Sequence, residues 1–245
     1  MTYCLGILLP GGLVLAADSR SNAGVDQITR VHKVTLFEQP DERVIAILGA
    51  GNLATTQAVV TSLREALGSG DLRTDLYTAR TMFEAANILG GRLREVIDHD
   101  GRYVQPYGDA SASFLIGGQI AGENPRLFEI YSAGNFIEAS DRKCFLQIGE
   151  TKYGKPILDR GLTMKVPIDQ ATKLALLSFD ATIRSNLSVG MPIDILRYEA
   201  NSFAFNDYAT LAEDHPYWCQ LRDLYADGLK RVIVDLPLPP RNWNA

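Results

Sequence analysis

Thr2-Tyr3-Cys4-Leu5-Gly6-Ile7-Leu8-Leu9-Pro10-Gly11-Gly12-Leu13-Val14-Leu15-Ala16-Ala17-Asp18-Ser19-Arg20 is the stretch on which the fold of this chain turns. Its two apolar runs, Tyr3 to Leu9 and Leu13 to Ala17, have strand length, and Pro10-Gly11-Gly12 between them is turn chemistry. The pair predicts a β-hairpin. An apolar run ending in Leu15-Ala16-Ala17 also has the outline of a secretory leader, but no basic segment precedes it and the Pro-Gly-Gly trio interrupts it. No run approaches the roughly 20 apolar residues of a membrane helix.

Outward from the hairpin, Val34 to Phe37 and Val44 to Leu48 read as a second β pair around Gln39-Pro40-Asp41-Glu42. The period then changes. Ala54, Ala58, Val59, Ser62, Leu63 and Ala66 recur at helical spacing, and Met82, Ala86, Leu89, Leu93 and Val96 step by four and three. Short strand-like runs return at Ser111 to Gly117, Leu127 to Tyr131, Phe136 to Ala139 and Cys144 to Ile148. Ala171, Leu174, Ala175, Ser178, Thr182 and Ser185 share a helical face, Ile193 to Tyr198 reads as a strand, and His215 to Lys230 as a terminal helix. The prolines at 237, 239 and 240 leave a non-helical tail to Ala245. Strands and helices in blocks predict an α+β fold with helices covering mainly antiparallel sheets, not a doubly wound parallel one. We read residues 1–245 as a single domain with a C-terminal helical extension over about 211–245.

Composition narrows the function. A net charge of -5 argues against nucleic acid and anionic membrane as partners, since both are polyanions. Three cysteines, Cys4, Cys144 and Cys219, show no metal-ligand spacing and fit a reducing, cytoplasmic setting. His32, His99 and His215 are scattered, so no metal is expected. Cys4 alternates with Thr2 and Gly6 on one strand face and reads as a packed residue, and His32 reads as exposed. Glu150, Lys152 and Arg160 read as turn and helix-surface charges, and their clustering with Tyr153 and Gly154 leaves a subunit or substrate contact open.

The chemistry concentrates near the start. Met1 is expected to be removed because Thr2 is small, and the freed α-amine, with a pKa near 8, then serves as base for its own residue's hydroxyl. Asp18 ends an apolar strand and Lys33 approaches the same sheet; an ammonium held by a carboxylate tunes a neighbouring hydroxyl and amine. Leu48-Gly49-Ala50-Gly51-Asn52 ends a strand and opens a helix, where backbone N–H groups can receive an oxyanion. Asp18-Ser19-Arg20 alone is more often a solvated strand end, and Thr2 alone a strand-initiating residue; the ordered set Thr2, Asp18, Lys33 and Gly49 reverses that reading.

In order and spacing, Thr2, the hairpin, Val14-Leu15-Ala16-Ala17-Asp18-Ser19-Arg20, Lys33-Val34 and the Gly49 turn resemble the β subunits of proteasomes, which are N-terminal nucleophile hydrolases. Thr2-Tyr3-Cys4-Leu5-Gly6-Ile7, Ser21-Asn22-Ala23-Gly24-Val25-Asp26 and Ile148-Gly149-Glu150-Thr151-Lys152-Tyr153-Gly154-Lys155-Pro156 look most like the bacterial ancestral β-subunit (Anbu) family, over essentially the whole chain. The resemblance implies a four-layer αββα sandwich and a threonine-type peptidase without cofactor. Thr2 would be the nucleophile, Asp18 and Lys33 its tuning pair, and the Gly49 N–H the oxyanion donor. Ser188 matches a retained site serine, and Ser21, Val31 and Ile47 fall where the specificity pocket is lined, implying a small or apolar preference. The implied partners are a peptide or unfolded-protein substrate and identical subunits forming a ring or an open, ring-like helical stack. No P-loop is present, so an ATPase partner is not evident. Two positions depart from the proteasome pattern: Ile148-Gly149-Glu150-Thr151 replaces a Gly-Ser-Gly-Ser stretch, and Ser185 replaces an aspartate. These leave open a catalytically weak scaffold on the same fold, or a narrow amidohydrolase of short peptides.

Overall fold

A computed structural model describes residues 2–23 and 27–242. The opening hairpin forms as its turn predicts: β1 (Tyr3–Leu9) and β2 (Gly12–Asp18) pair antiparallel, with Cys4 opposite Ala17 and Leu9 opposite Gly12. Gly12 has φ 141°, and a Cβ there would lie 1.8 Å from the Tyr198 carbonyl oxygen, so this approach of a third strand requires glycine. A second hairpin, β3 (Arg20–Ala23) with β4 (Gln27–Arg30), has no counterpart in the sequence-based expectation. Its strands carry too few apolar residues for a period to show. The Gly24-Val25-Asp26 part of the run quoted for the resemblance lies outside the described residues.

β5 (Val34–Gln39) and β6 (Arg43–Gly51) pair around Pro40-Asp41, and α1 (Leu53–Ala66) starts where Asn52 Oδ1 accepts the Thr55 N–H. α2 (Met82–Val104), capped by Thr81, continues past Val96, where the helical period read from the sequence stops. β7 (Ala112–Ile120), β8 (Arg126–Ile130), β9 (Phe136–Glu138) and β10 (Phe145–Gly149) follow. Then come α3 (Lys155–Gly161), α4 (Ile168–Ser185), β11 (Ile193–Glu199), β12 (Asp207–Leu211) and α5 (Pro216–Asp235). α3 and β12 are too short to declare a period.

Two five-stranded sheets result, ordered β10-β1-β2-β11-β12 and β5-β6-β7-β8-β9, with antiparallel neighbours throughout. Alternation along each strand builds three apolar layers. Tyr3, Leu5 and Ile7 face Leu158, Ala175 and Phe179 of α3 and α4. Leu13, Leu15 and Ala17 meet Val44, Ala46 and Leu48 between the sheets. Ile45 and Ile47 pack with Val59 and Leu63 of α1 and Leu89 of α2. The chain is therefore an αββα sandwich. Both faces of the central strands are covered, which is why they read as continuous apolar runs instead of alternating ones.

Trp218 of α5 is 1% exposed and belongs to the layer shared with α4, although the outer face of that helix leaves Leu229, Val232 and Ile233 exposed. Trp218→Ala is expected to cost about 3–5 kcal/mol, measured as a shift of the denaturation midpoint. Residues 243–245 of the expected tail lie outside the described residues, and among the described residues no helix is long and apolar enough to cross a membrane.

Candidate active site

Thr2 precedes β1 and is half-buried at the mouth of a cavity of about 350 Å3. Its backbone is gripped on both sides. The Thr2 carbonyl accepts the Glu150 N–H at 2.7 Å, and the next amide, Tyr3 N–H, donates to Asp18 Oδ1 at 3.0 Å. The Tyr3 side chain pins the same point from below: its hydroxyl bonds to Ser178 Oγ at 3.1 Å and accepts from Gln147 Nε2 at 2.7 Å, and burial pushes its pKa up to about 12.

Asp18 is fully buried at the end of β2 and organises the centre. Lys33 Nζ donates to Asp18 Oδ1 at 2.7 Å and to the Arg20 carbonyl at 2.6 Å, with the lysine side chain only 6% exposed. Asp18 Oδ2 accepts the Arg20 N–H at 3.2 Å and the Gly190 N–H at 3.3 Å. Burial pushes the Asp18 carboxyl above its ordinary range, while the Lys33 ammonium and the N–H groups of Tyr3 and Gly190 pull it back. Cys4, next along β1, is buried, and burial pushes its thiol well above the usual range, so it is a packing residue.

Lys33, Val31 and Gly49 line the cavity with Thr2. The Gly49 N–H donates to the Lys33 carbonyl at 3.2 Å, continuing the β5–β6 ladder, so this donor is already engaged. Ser188 sits half-buried in the loop after α4, where its N–H donates to Asn186 Oδ1 at 2.9 Å; its hydroxyl makes no hydrogen bond among the described residues. Ile47, expected at the specificity pocket, is 1% exposed in the layer between β6 and the α1–α2 pair, and the residues of that strand that line the cavity are Gly49, Ala50 and Gly51. For Ser21 the structure gives backbone pairing with Thr29, and its side chain lies outside the described residues.

The reading of one charged residue changes. Glu150 is 6% exposed, not a turn-surface charge: Oε2 accepts from Asn186 Nδ2 at 2.7 Å and Oε1 lies 3.6 Å from Lys152 Nζ. Glu150 thereby links the strand opposite Thr2 to the loop whose Gly190 holds Asp18. Its position at a departure from the proteasome pattern was the available signal; Asn186 offered none. Ser185, at the aspartate position, is exposed at the end of α4. His32 has a 76% exposed side chain, as expected, yet lines the cavity and places Nδ1 3.3 Å from Oδ2 of the fully buried Asp194.

Gly149 fixes the geometry below Thr2. It has φ 82°, and a Cβ there would lie 1.9 Å from the Thr2 carbonyl oxygen. Gly149→Ala is expected to displace Thr2 and to cost about 1–3 kcal/mol through backbone strain while the protein stays folded. Urea denaturation beside circular dichroism checks this.

The chain matches the proteasome subunit family over residues 2–196. Among solved structures, it is 46% identical to Anbu (ancestral beta-subunit) from Yersinia bercovieri, with a TM-score of 0.92, covering 98% of this chain and 100% of that one. It is 43% identical to the protein in the helical assembly of the Anbu complex from Pseudomonas aeruginosa, with a TM-score of 0.94, covering 98% and 99%. Among curated proteins, it is 30% identical over 191 residues to proteasome subunit beta 1 of Thermococcus kodakarensis, covering 77% of this chain and 84% of that protein.

Proposed function

This chain belongs to the proteasome subunit family, and from that premise we propose that it is a threonine-type peptidase whose nucleophile is Thr2, freed by removal of Met1. The observation that carries the reading is the buried Lys33–Asp18 pair, tied through the Tyr3 N–H to the residue that follows Thr2. A fully buried carboxylate is costly unless paired, and here the paired ammonium lines the cavity at whose mouth Thr2 stands. Thr2 Oγ1 attacks the substrate carbonyl and its proton passes to the α-amine, which returns it to the leaving amine; water activated by the same amine then cleaves the ester. The tetrahedral oxyanion is received at the Gly49 N–H, sharing or displacing its bond to the Lys33 carbonyl. Val31 lines the substrate pocket.

Peptides or unfolded protein are the substrates, and identical subunits assemble into a ring or an open, ring-like stack, supported by the helical assembly described for the Pseudomonas aeruginosa protein. The free thiols of Cys4, Cys144 and Cys219 fit a reducing cytoplasm.

Intact mass before and after a peptide epoxyketone, which needs both a threonine hydroxyl and a free α-amine, tests the nucleophile. One added inhibitor mass on protein lacking Met1 is the expected result; retained Met1, or a free Thr2 that stays unmodified, overturns it. The engaged Gly49 N–H and the exposed Ser185 favour a second reading, a scaffold with weak catalysis on the same fold. That reading predicts an adduct that forms slowly with casein left intact.

A further inference from the structure

Asp and Glu together number 29 in a chain of net charge -5, yet among the described residues none of them lines the cavity that holds Thr2. The basic residues Lys33, His32 and Arg64 are part of the wall. Two of these have anionic partners outside the cavity: Lys33 is matched by Asp18, and His32 Nδ1 faces Asp194. The Arg64 side chain has no ion pair or hydrogen bond among the described residues. A cation in a helix's last turn is favoured by the helix dipole wherever it points. The dipole does not explain a wall free of carboxylate in an acidic protein.

The placement of Arg64 gives the reach. Lys33 and Gly49 set the Thr2 end of the cavity, and α1 starts directly after that turn at Leu53. From there the wall follows one helix face through Gln57 and Thr61 to Arg64, about 16 Å by helical rise. An extended peptide advances about 3.3 Å per residue, and an arginine and a glutamate side chain reach towards each other along part of that path. The remaining gap corresponds to roughly two or three residues of substrate.

Building on the peptidase reading, we infer that the cavity selects substrates with an acidic side chain within three residues of the scissile amide, recognised by Arg64. It differs from the small or apolar preference that Ser21, Val31 and Ile47 imply, of which Val31 lines the cavity.

The test uses peptide pairs that differ only in Glu against Gln at each of the three positions on either side of the cleaved bond. Binding is read first, by fluorescence anisotropy on Thr2→Ala protein, so that the result does not depend on turnover; kcat/KM on the unaltered protein follows. At one position Glu is expected to win by about fivefold at low salt, the size of one exposed ion pair, and the advantage is expected to fade near 0.5 M salt, where screening is complete within roughly 4 Å. Arg64→Gln brings the Glu-to-Gln ratio to about one, Arg64→Glu inverts it, and Arg231→Gln, an exposed arginine on α5, leaves it as it was. A ratio of one at every position, no binding of either peptide, or a preference that survives Arg64→Gln overturns the inference. A missing epoxyketone adduct would instead sink the nucleophile while leaving the binding result to decide on Arg64.

Discussion

Thr2→Ala is expected to lower peptide turnover by at least about a thousandfold and to abolish the epoxyketone adduct, with the denaturation midpoint almost unchanged. The separation of activity from stability follows from the site's construction. What Thr2 contributes to the fold is its carbonyl, bonded to the Glu150 N–H, and the position of the next amide on Asp18; alanine keeps both. What the proposed reaction takes from it is a hydroxyl and, once Met1 is removed, an amine. A lysine inserted between Met1 and Thr2 separates those two groups, since a bulky second residue keeps Met1 in place and leaves the threonine hydroxyl with an amide nitrogen beside it. This variant is expected to be as inactive as Thr2→Ala while keeping the hydroxyl. If it retains full activity, the base is some other group, and His32 on the same cavity wall is the first to replace in turn. With the amine as base, kcat/KM of the unaltered protein rises with pH through about 8, where an α-amine loses its proton.

The layers of this fold were legible because their elements are long or strongly patterned. The opening strands declared themselves by two apolar runs and a Pro-Gly-Gly turn, and α1, α2 and α4 by helical spacing. What was missed has a common physical cause. β3 and β4 carry few apolar residues, β12 leaves most of its residues exposed, and α3 makes barely two turns; none carries a long enough apolar pattern to leave a period in the sequence. The placement of Ile47 has a related reason. Alternation puts it on the helix-side face of β6 with Ile45, but the same parity serves both core and cavity, and which one a residue meets depends on where α1 crosses the strand. Position by position carry-over cannot see that crossing.

The site was legible to the extent that its residues are adjacent to strand ends. Asp18 and Lys33 close on each other because the ends of β2 and β5 converge there, and charge plus position identifies both. The Glu150–Asn186 bridge spans |i−j| = 36 residues and joins a strand to a loop, with no local signature in either segment. Glu150 stood out in the sequence only as a departure, and a departure says that a neighbour has changed without saying which. In the structure Glu150 meets Asn186, and through Ser188 and Gly190 the same loop reaches back to Asp18. Glu150 and Asn186 therefore supply a polar link beside Thr2, not an apolar gap.

Lys33→Met is expected to be the most damaging single change to stability in the site, about 3–5 kcal/mol near neutral pH, because it leaves a buried carboxylate without its cation. Methionine fills most of the stem's volume, so the loss is electrostatic. The pH dependence distinguishes this from simple mispacking. Burial already raises the Asp18 carboxyl above its usual value, and the Lys33 ammonium is the largest influence opposing that rise. Without it the folded-state pKa climbs further above the unfolded value of about 3.9. A carboxyl whose folded pKa lies above its unfolded one binds a proton more tightly when folded; its contribution is fully present below the unfolded pKa and is lost as pH rises through the folded pKa. The variant is therefore expected to regain stability as the pH falls from 8 towards 5, narrowing its deficit relative to the unaltered protein. Asp18→Asn combined with Lys33→Met removes the titrating group and should make the deficit independent of pH over the same range. Urea denaturation of the three proteins at pH 5 and pH 8 measures this directly, and an equal deficit at both values for Lys33→Met would show that Asp18 reaches a counter-charge other than Lys33.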